Sequence, residues 1–153
     1  MAGLFFNRFS YPVWKSKMIQ LVRLFAFCIL LLLPQAAAAG PAETLKSWYA
    51  MLQAGSDMRI AALLADNAVI VLEDIGVEQS KDEFVESLDE WKDAIKGGSV
   101  EWKMEKQSGD SATALVCYRF AEAPMTVREV FSFSGDLISR SVQTQVADNC
   151  DGF

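Results

Sequence analysis

Residues 126–146, TVREVFSFSGDLISRSVQTQV, decide how this chain folds. Both halves are rich in β-branched and aromatic residues, and Ser134-Gly135-Asp136 separates them. Thr126 to Phe133 therefore reads as a strand, and Leu137 to Val146 as its partner across a tight hairpin. Alternation puts Val127, Glu129, Phe131 and Phe133 on one face of the first strand. An acid among apolar neighbours is costly unless it is paired or protonated. Glu129 is thus a candidate site residue. Its functional reading is a pocket acid with a raised pKa. Its structural reading is a buried ion pair with Arg119, Arg128 or Arg140. Arg128, the immediate neighbour, points to the opposite face, so Arg119 or Arg140 is the expected partner.

Working backward from the hairpin, more strands appear. Ala112 to Phe120 is apolar, with a turn at Glu122-Ala123-Pro124 after it and Gly109-Asp110 before it. Val100, Trp102 and Met104 alternate with Glu101, Lys103 and Glu105, a half-buried strand. Upstream, Ser80 and Glu83 form a capping box. It opens a helix burying Phe84, Leu88, Trp91 and Ile95, which Gly97-Gly98 stops. The opposite side of that helix carries Asp82, Glu86, Asp89, Glu90 and Asp93. They lack the ladder of a calcium loop and read as a solvated face, so no metal site is expected. Ala68 to Leu72 reads as a buried strand, Glu73-Asp74-Ile75-Gly76 as a bend, and Val77 to Gln79 as a short return strand. Glu43 to Ala54 reads as a first helix ended by Gly55. A second, capped by Ser56, carries Met58, Ala61, Leu64 and Ala65, and Asp66-Asn67 breaks it. The order is α-α-β-β-α-β-β-β-β. Helices segregated from a mainly antiparallel sheet make an α+β fold, here a cone of curved sheet around three helices. The mouth of such a cone is a usual place for a small-molecule site.

The first 39 residues read differently. Arg8, Lys15, Lys17 and Arg23 precede the apolar run Leu24 to Leu33, and Ala36 to Ala39 follow Pro34-Gln35. That is the layout of a secretory signal peptide cleaved near Ala39–Gly40, with Met18 a plausible alternative start. The run is about half of the ~20 apolar residues a spanning helix needs, so no lasting membrane anchor is expected. The remaining domain, 40–153, is then secreted, most simply periplasmic. It holds all 20 acids and 14 − 4 = 10 basic residues, a net charge of −10. Such a surface disfavours nucleic acid and anionic lipid. The chain has no histidine, which excludes histidine triads and histidine metal sites. Outside the signal the cysteines are Cys117 and Cys150. In an oxidising compartment a lone pair is expected to form one disulfide, although two free thiols would fit the sequence as well.

The element order, with Trp48-Tyr49-Ala50-Met51-Leu52-Gln53-Ala54-Gly55, Leu63-Leu64-Ala65-Asp66-Asn67-Ala68-Val69 and Val130 to Ile138, resembles the nuclear transport factor 2-like superfamily. This group includes ketosteroid isomerases and polyketide cyclases of the SnoaL kind. The resemblance implies the cone fold, work without a cofactor, and dimerisation through the outer sheet face. It also implies site positions. An isomerase of this kind uses an aspartate base near the end of the first strand, a tyrosine on the first helix and a protonated acid on a late strand. Asp74 resembles the base, although its strand reads two residues longer. Glu129 matches the late acid, with glutamate for aspartate. Trp48 matches the tyrosine position, and Tyr49 is one residue, ~100° of helix, away.

The sequence thus supports a protein that binds a small, apolar molecule in the cone. Trp48, Tyr49, Trp91, Trp102, Tyr118 and Phe131 would line the cavity, or serve as ordinary core. An alternative is a cofactor-free isomerase, cyclase or hydratase, with Asp74 as base and Glu129 as acid. Such an aspartate is most often a turn residue accepting backbone hydrogen bonds, and that is the more usual reading of Asp74. A third reading is a non-catalytic, dimeric interaction module.

Overall fold

The computed structural model describes residues 40–153. The expected signal peptide and Cys28 lie outside the described residues. Helix α1, Pro41–Ala54, carries proline at its start and ends on Gly55 at φ 60°, a left-handed cap. After the short α2, Asp57–Ala61, come β1, Leu64–Leu72, a 3-10 turn at Glu73–Ile75 and β2, Val77–Ser80. Helix α3, Lys81–Ala94, opens on the capping box read from the sequence. The Ser80 side chain accepts from the Glu83 N–H, and Glu83 accepts from the Ser80 N–H. Then follow β3, Ser99–Ser108, β4, Ser111–Arg119, β5, Pro124–Ser134, and β6, Leu137–Ala147.

The strands form one sheet in the order β2-β1-β6-β5-β4-β3. Only β1 and β6 run parallel; the other pairings are antiparallel. This is the expected α+β order with one correction. The second helix ends at Ala61, and β1 already begins at Leu64, so Asp66-Asn67 lies within a strand rather than breaking a helix. Leu64 pairs with Ile138, and pairing with β6 resumes at Val69 after a register irregularity. Burial explains the choice. Leu64, Ala65 and Ala68 face the core while Asp66 and Asn67 bulge into solvent, where Lys81 pairs with Asp66 at 3.1 Å.

Helix α1 occupies the concavity of the sheet. Trp48 stacks on Phe84 of α3 with ring centroids 5.5 Å apart. Tyr49, turned from it around the helix, stacks on Trp102 of β3 at 4.8 Å. Both meet the edge or face of Phe131 at 6.3 Å. The two neighbours are buried together because α1 is covered on one side by α3 and on the other by β3.

Two contacts hold the rim. Cys117 and Cys150 are joined as a disulfide, with Cα atoms 5.5 Å apart, which ties β4 to the C-terminal tail. Gly98, where the chain enters β3, lies against the next strand. A Cβ there would stand 2.1 Å from the Arg119 carbonyl oxygen. Gly98→Ala should therefore lower stability by roughly 1–3 kcal/mol, and a wild-type denaturation midpoint for that variant would refute the close approach.

Candidate functional site

A cavity of about 440 Å³ opens between α1, α3 and the inner face of the sheet. Its aromatic wall is Trp48, Phe84, Trp91 and Tyr118, and Leu52, Leu72 and Leu88 add aliphatic surface. Ile75 and Val77, both exposed, stand at the rim on the turn and strand after β1. Gln79, Ser87, Glu90 and Gln143 supply the polar groups. Trp91 is fixed by its own N–H, which donates to the Leu52 carbonyl at 2.9 Å.

Of the six aromatic residues expected along the cavity, Trp48, Trp91 and Tyr118 line it. Tyr49, Trp102 and Phe131 do not. They pack behind the wall, around the stack of Tyr49 on Trp102. Phe84 and Leu88 belong to the lining although the sequence marked them only as the buried side of a helix.

Glu129 is fully buried. Its partner is not an arginine. Arg119 reaches Glu101 at 3.1 Å and Arg128 reaches Glu105 at 3.0 Å, both on the outer side of the sheet. Instead the hydroxyls of Tyr49, at 3.1 Å, and of Tyr118 donate to the two carboxylate oxygens. The Trp48 N–H also favours the charged form, more weakly than either hydroxyl, yet meets no acceptor at hydrogen-bonding geometry. Burial pushes the Glu129 carboxyl up to about 7, against the pull of these donors. Burial, followed by the neighbouring Glu129 charge, raises both tyrosines well above the usual phenol range. Glu129 is thus an acid raised toward neutrality in a fully buried site. It is separated from the cavity by Tyr118 and Trp48, which form part of the wall, and its neighbour in the sheet, Gln143, also lines the cavity.

Asp74 lies elsewhere. It is exposed on the 3-10 turn, where it accepts from the Gln145 backbone N–H at 2.6 Å. Glu73 beside it accepts from Thr144. These contacts clip the turn to β6. Asp74 thus occupies the turn-residue position, and it is not among the residues lining the cavity. The described residues contain no cluster of three or more potential metal ligands, and no helix among them is long and apolar enough to cross a membrane.

The role of Tyr118 is visible in the structure but was missed in the sequence as a hydroxyl donor. Ala112, Ala114, Val116 and Tyr118 alternate on the inner face of β4, and Ala114 stands opposite Glu129 on β5. That alternation places Tyr118 on the same inner surface as the acid, and the small Ala114 leaves it room.

No protein-family model and no curated protein matches the sequence. Solved structures do. An NTF-2-like protein of unknown function from Burkholderia xenovorans is 10% identical, with a TM-score of 0.58 over 73% of this chain and 86% of that one. A candidate polyketide cyclase from Streptomyces antibioticus is 14% identical, with a TM-score of 0.57 over 69% and 91%. A candidate ketosteroid isomerase from Kribbella flavida is 15% identical, with a TM-score of 0.56 over 67% and 75%. The chain has the nuclear transport factor 2-like fold. At these identities the likeness concerns the fold alone, since one cone carries many chemistries. Within the nuclear transport factor 2-like cone of this chain, the distinctive features are the aromatic cavity and the acid sealed behind its wall.

Proposed function

We propose that this is a secreted, periplasmic binding protein whose cone takes up a small, mainly apolar molecule. The observation that carries this reading is the aromatic cavity, open at one rim and closed off from Glu129 at its base. A site of this size and lining suits an apolar body with a few polar contacts. The signal-like leader and the disulfide suit a compartment outside the cytoplasm.

One observation favours a second reading, cofactor-free proton transfer. Glu129 titrates near neutrality, where a general acid or base works best. The solved structures of this fold include candidate isomerases and cyclases. For that chemistry Glu129 must be uncovered to a substrate, and Asp74 must leave its contact with Gln145. We favour binding because both acids are otherwise engaged. A second copy of the chain would pack on the outer sheet face, where Val130 and Val146 are exposed.

Native mass spectrometry of the protein, expressed from the full chain and collected unreduced from the periplasm, tests these readings together. The expected spectrum shows a mass starting near Gly40 and an adduct of a small organic molecule. An uncleaved mass would remove the secretion reading. A protein that stays empty, and that takes up no apolar probe when titrated, would remove the binding reading. A monomer at all concentrations would remove the dimer.

A further inference from the structure

We propose that the cavity is built for an organic cation, a quaternary or tertiary ammonium group held at the aromatic wall where Trp91 is backed by Trp48, Phe84 and Tyr118. This rests on the reading of the cavity as a binding site and names the chemical class that it takes.

Four observations converge. First, the wall is aromatic on several sides. Trp48 and Phe84 are stacked at 5.5 Å, and Trp91 and Tyr118 meet edge to face at 5.3 Å. Trp48, Phe84 and Tyr118 are buried, Tyr118 also stacking on Phe120 at 6.0 Å, so the aromatic surface most open to the cavity is that of the half-buried Trp91. Such faces attract cations, most strongly where water is excluded. Second, no lysine or arginine lines the cavity, and Glu90 stands at its exposed edge. An anion would find no cationic partner in that lining and would meet the charge of Glu90. Third, Glu129 lies directly behind Tyr118 and Trp48 without a countercharge. The side chains on it from α1 are Tyr49 and Trp48, and from β4 Tyr118. The residues opposite it in the sheet are Ala114 and Gln143. All are uncharged. A cation bound in the cavity, beyond this wall, would be the missing countercharge, acting through a low-dielectric medium. Fourth, residues 40–153 carry ten more acids than bases, which enriches cations around the domain.

The charge of Glu129 links binding to pH. A cation favours the ionised carboxylate, so its affinity rises as pH passes upward through the titration of Glu129. An uncharged ligand of the same shape has no such preference.

A matched pair of probes tests this on the whole protein. Choline carries a quaternary nitrogen; dimethylbutanol, in which carbon replaces that nitrogen, has the same shape without charge. Each is titrated by tryptophan fluorescence or calorimetry at about pH 8 and about pH 5, either side of the Glu129 titration. The expected result is choline binding about tenfold more tightly than dimethylbutanol at the higher pH. That advantage should shrink several-fold at the lower pH. In Glu129→Gln the choline affinity should fall and lose its pH dependence, with dimethylbutanol unaffected. Equal binding of both probes would overturn the cation proposal and leave the cavity reading standing. Binding of neither would overturn both. The wild-type pH comparison needs no variant, so a poorly folded Glu129→Gln would not rescue the idea.

Discussion

Breaking the Cys117–Cys150 bond is expected to cost ~3–4 kcal/mol, the loop-closure entropy for a crosslink spanning 33 positions. For a domain of this size that is a fall in melting temperature of roughly 10–20 °C. The loop it closes contains β5, β6 and both of their turns, so the unfolded chain regains much freedom when the bond is lost. The native state loses local order too. The tail after β6 folds back on the sheet. Thr126 donates to the Asn149 carbonyl, Lys103 donates to the Gly152 carbonyl at 3.1 Å, and the same ammonium sits 4.7 Å from the centre of the Phe153 ring. With the bond gone, the tail is held by the half-buried Thr126 contact and by surface contacts such as those of Lys103, which are individually weak. Thermal melts with and without reductant, and of the Cys117→Ser/Cys150→Ser double variant, measure the effect. A shift of no more than a few degrees in both would show that the tail is held by its other contacts.

What could be read from the sequence, and what could not, divides along a physical line. Elements were legible where the signal is local. The capping box at Ser80 and Glu83, the alternation of β5 and the Ser134-Gly135-Asp136 turn each state their structure within a few residues. The start of β1 was not, because Leu64 and Ala65 suit a helix as well as a strand. What decides is the partner Ile138, which is distant in sequence. For the site, alternation correctly turned Glu129 inward but could not name what meets it. The same alternation applied to β4 sends Tyr118 inward and Arg119 outward, which accounts for the tyrosine partner and for the pairing of Arg119 with Glu101. Helical angle alone separated Tyr49 from the position of Trp48. Since α1 is covered on two sides, both side chains reach inner positions and only Trp48 faces the cavity. The division of six aromatics into wall and core depends on how deep α1 sits in the sheet, and no local pattern encodes that depth.

Glu129 should make the folded state lose stability as pH rises from about 5 to about 8. Its carboxyl titrates at about 7 in the fold and near the ordinary 4.5 in the unfolded chain. Between these values the native protein holds a proton that the unfolded chain has released. Because the native state binds more protons, unfolding becomes easier as pH increases through that window. The contribution is fully present below about pH 4.5 and gone above about pH 7. Its size is about 3 kcal/mol, at about 1.4 kcal/mol for each tenfold change in proton affinity. Other carboxylates add their own slopes, so the test is a difference between two proteins. Glutamine has the shape of a protonated glutamate and cannot ionise. Its carbonyl can accept from one tyrosine, and its amide can donate to the oxygen of the other. Glu129→Gln should therefore match the wild type near pH 5 and exceed it by about 3 kcal/mol near pH 8. Urea midpoints across that range measure the gap. Parallel curves across that range would mean that Glu129 is ionised in the fold as in the unfolded chain, the two tyrosine hydroxyls outweighing burial. In that case the carboxylate would be a permanent charge behind the cavity wall, and the pH dependence expected of choline binding would be absent, which removes Glu129 as its countercharge.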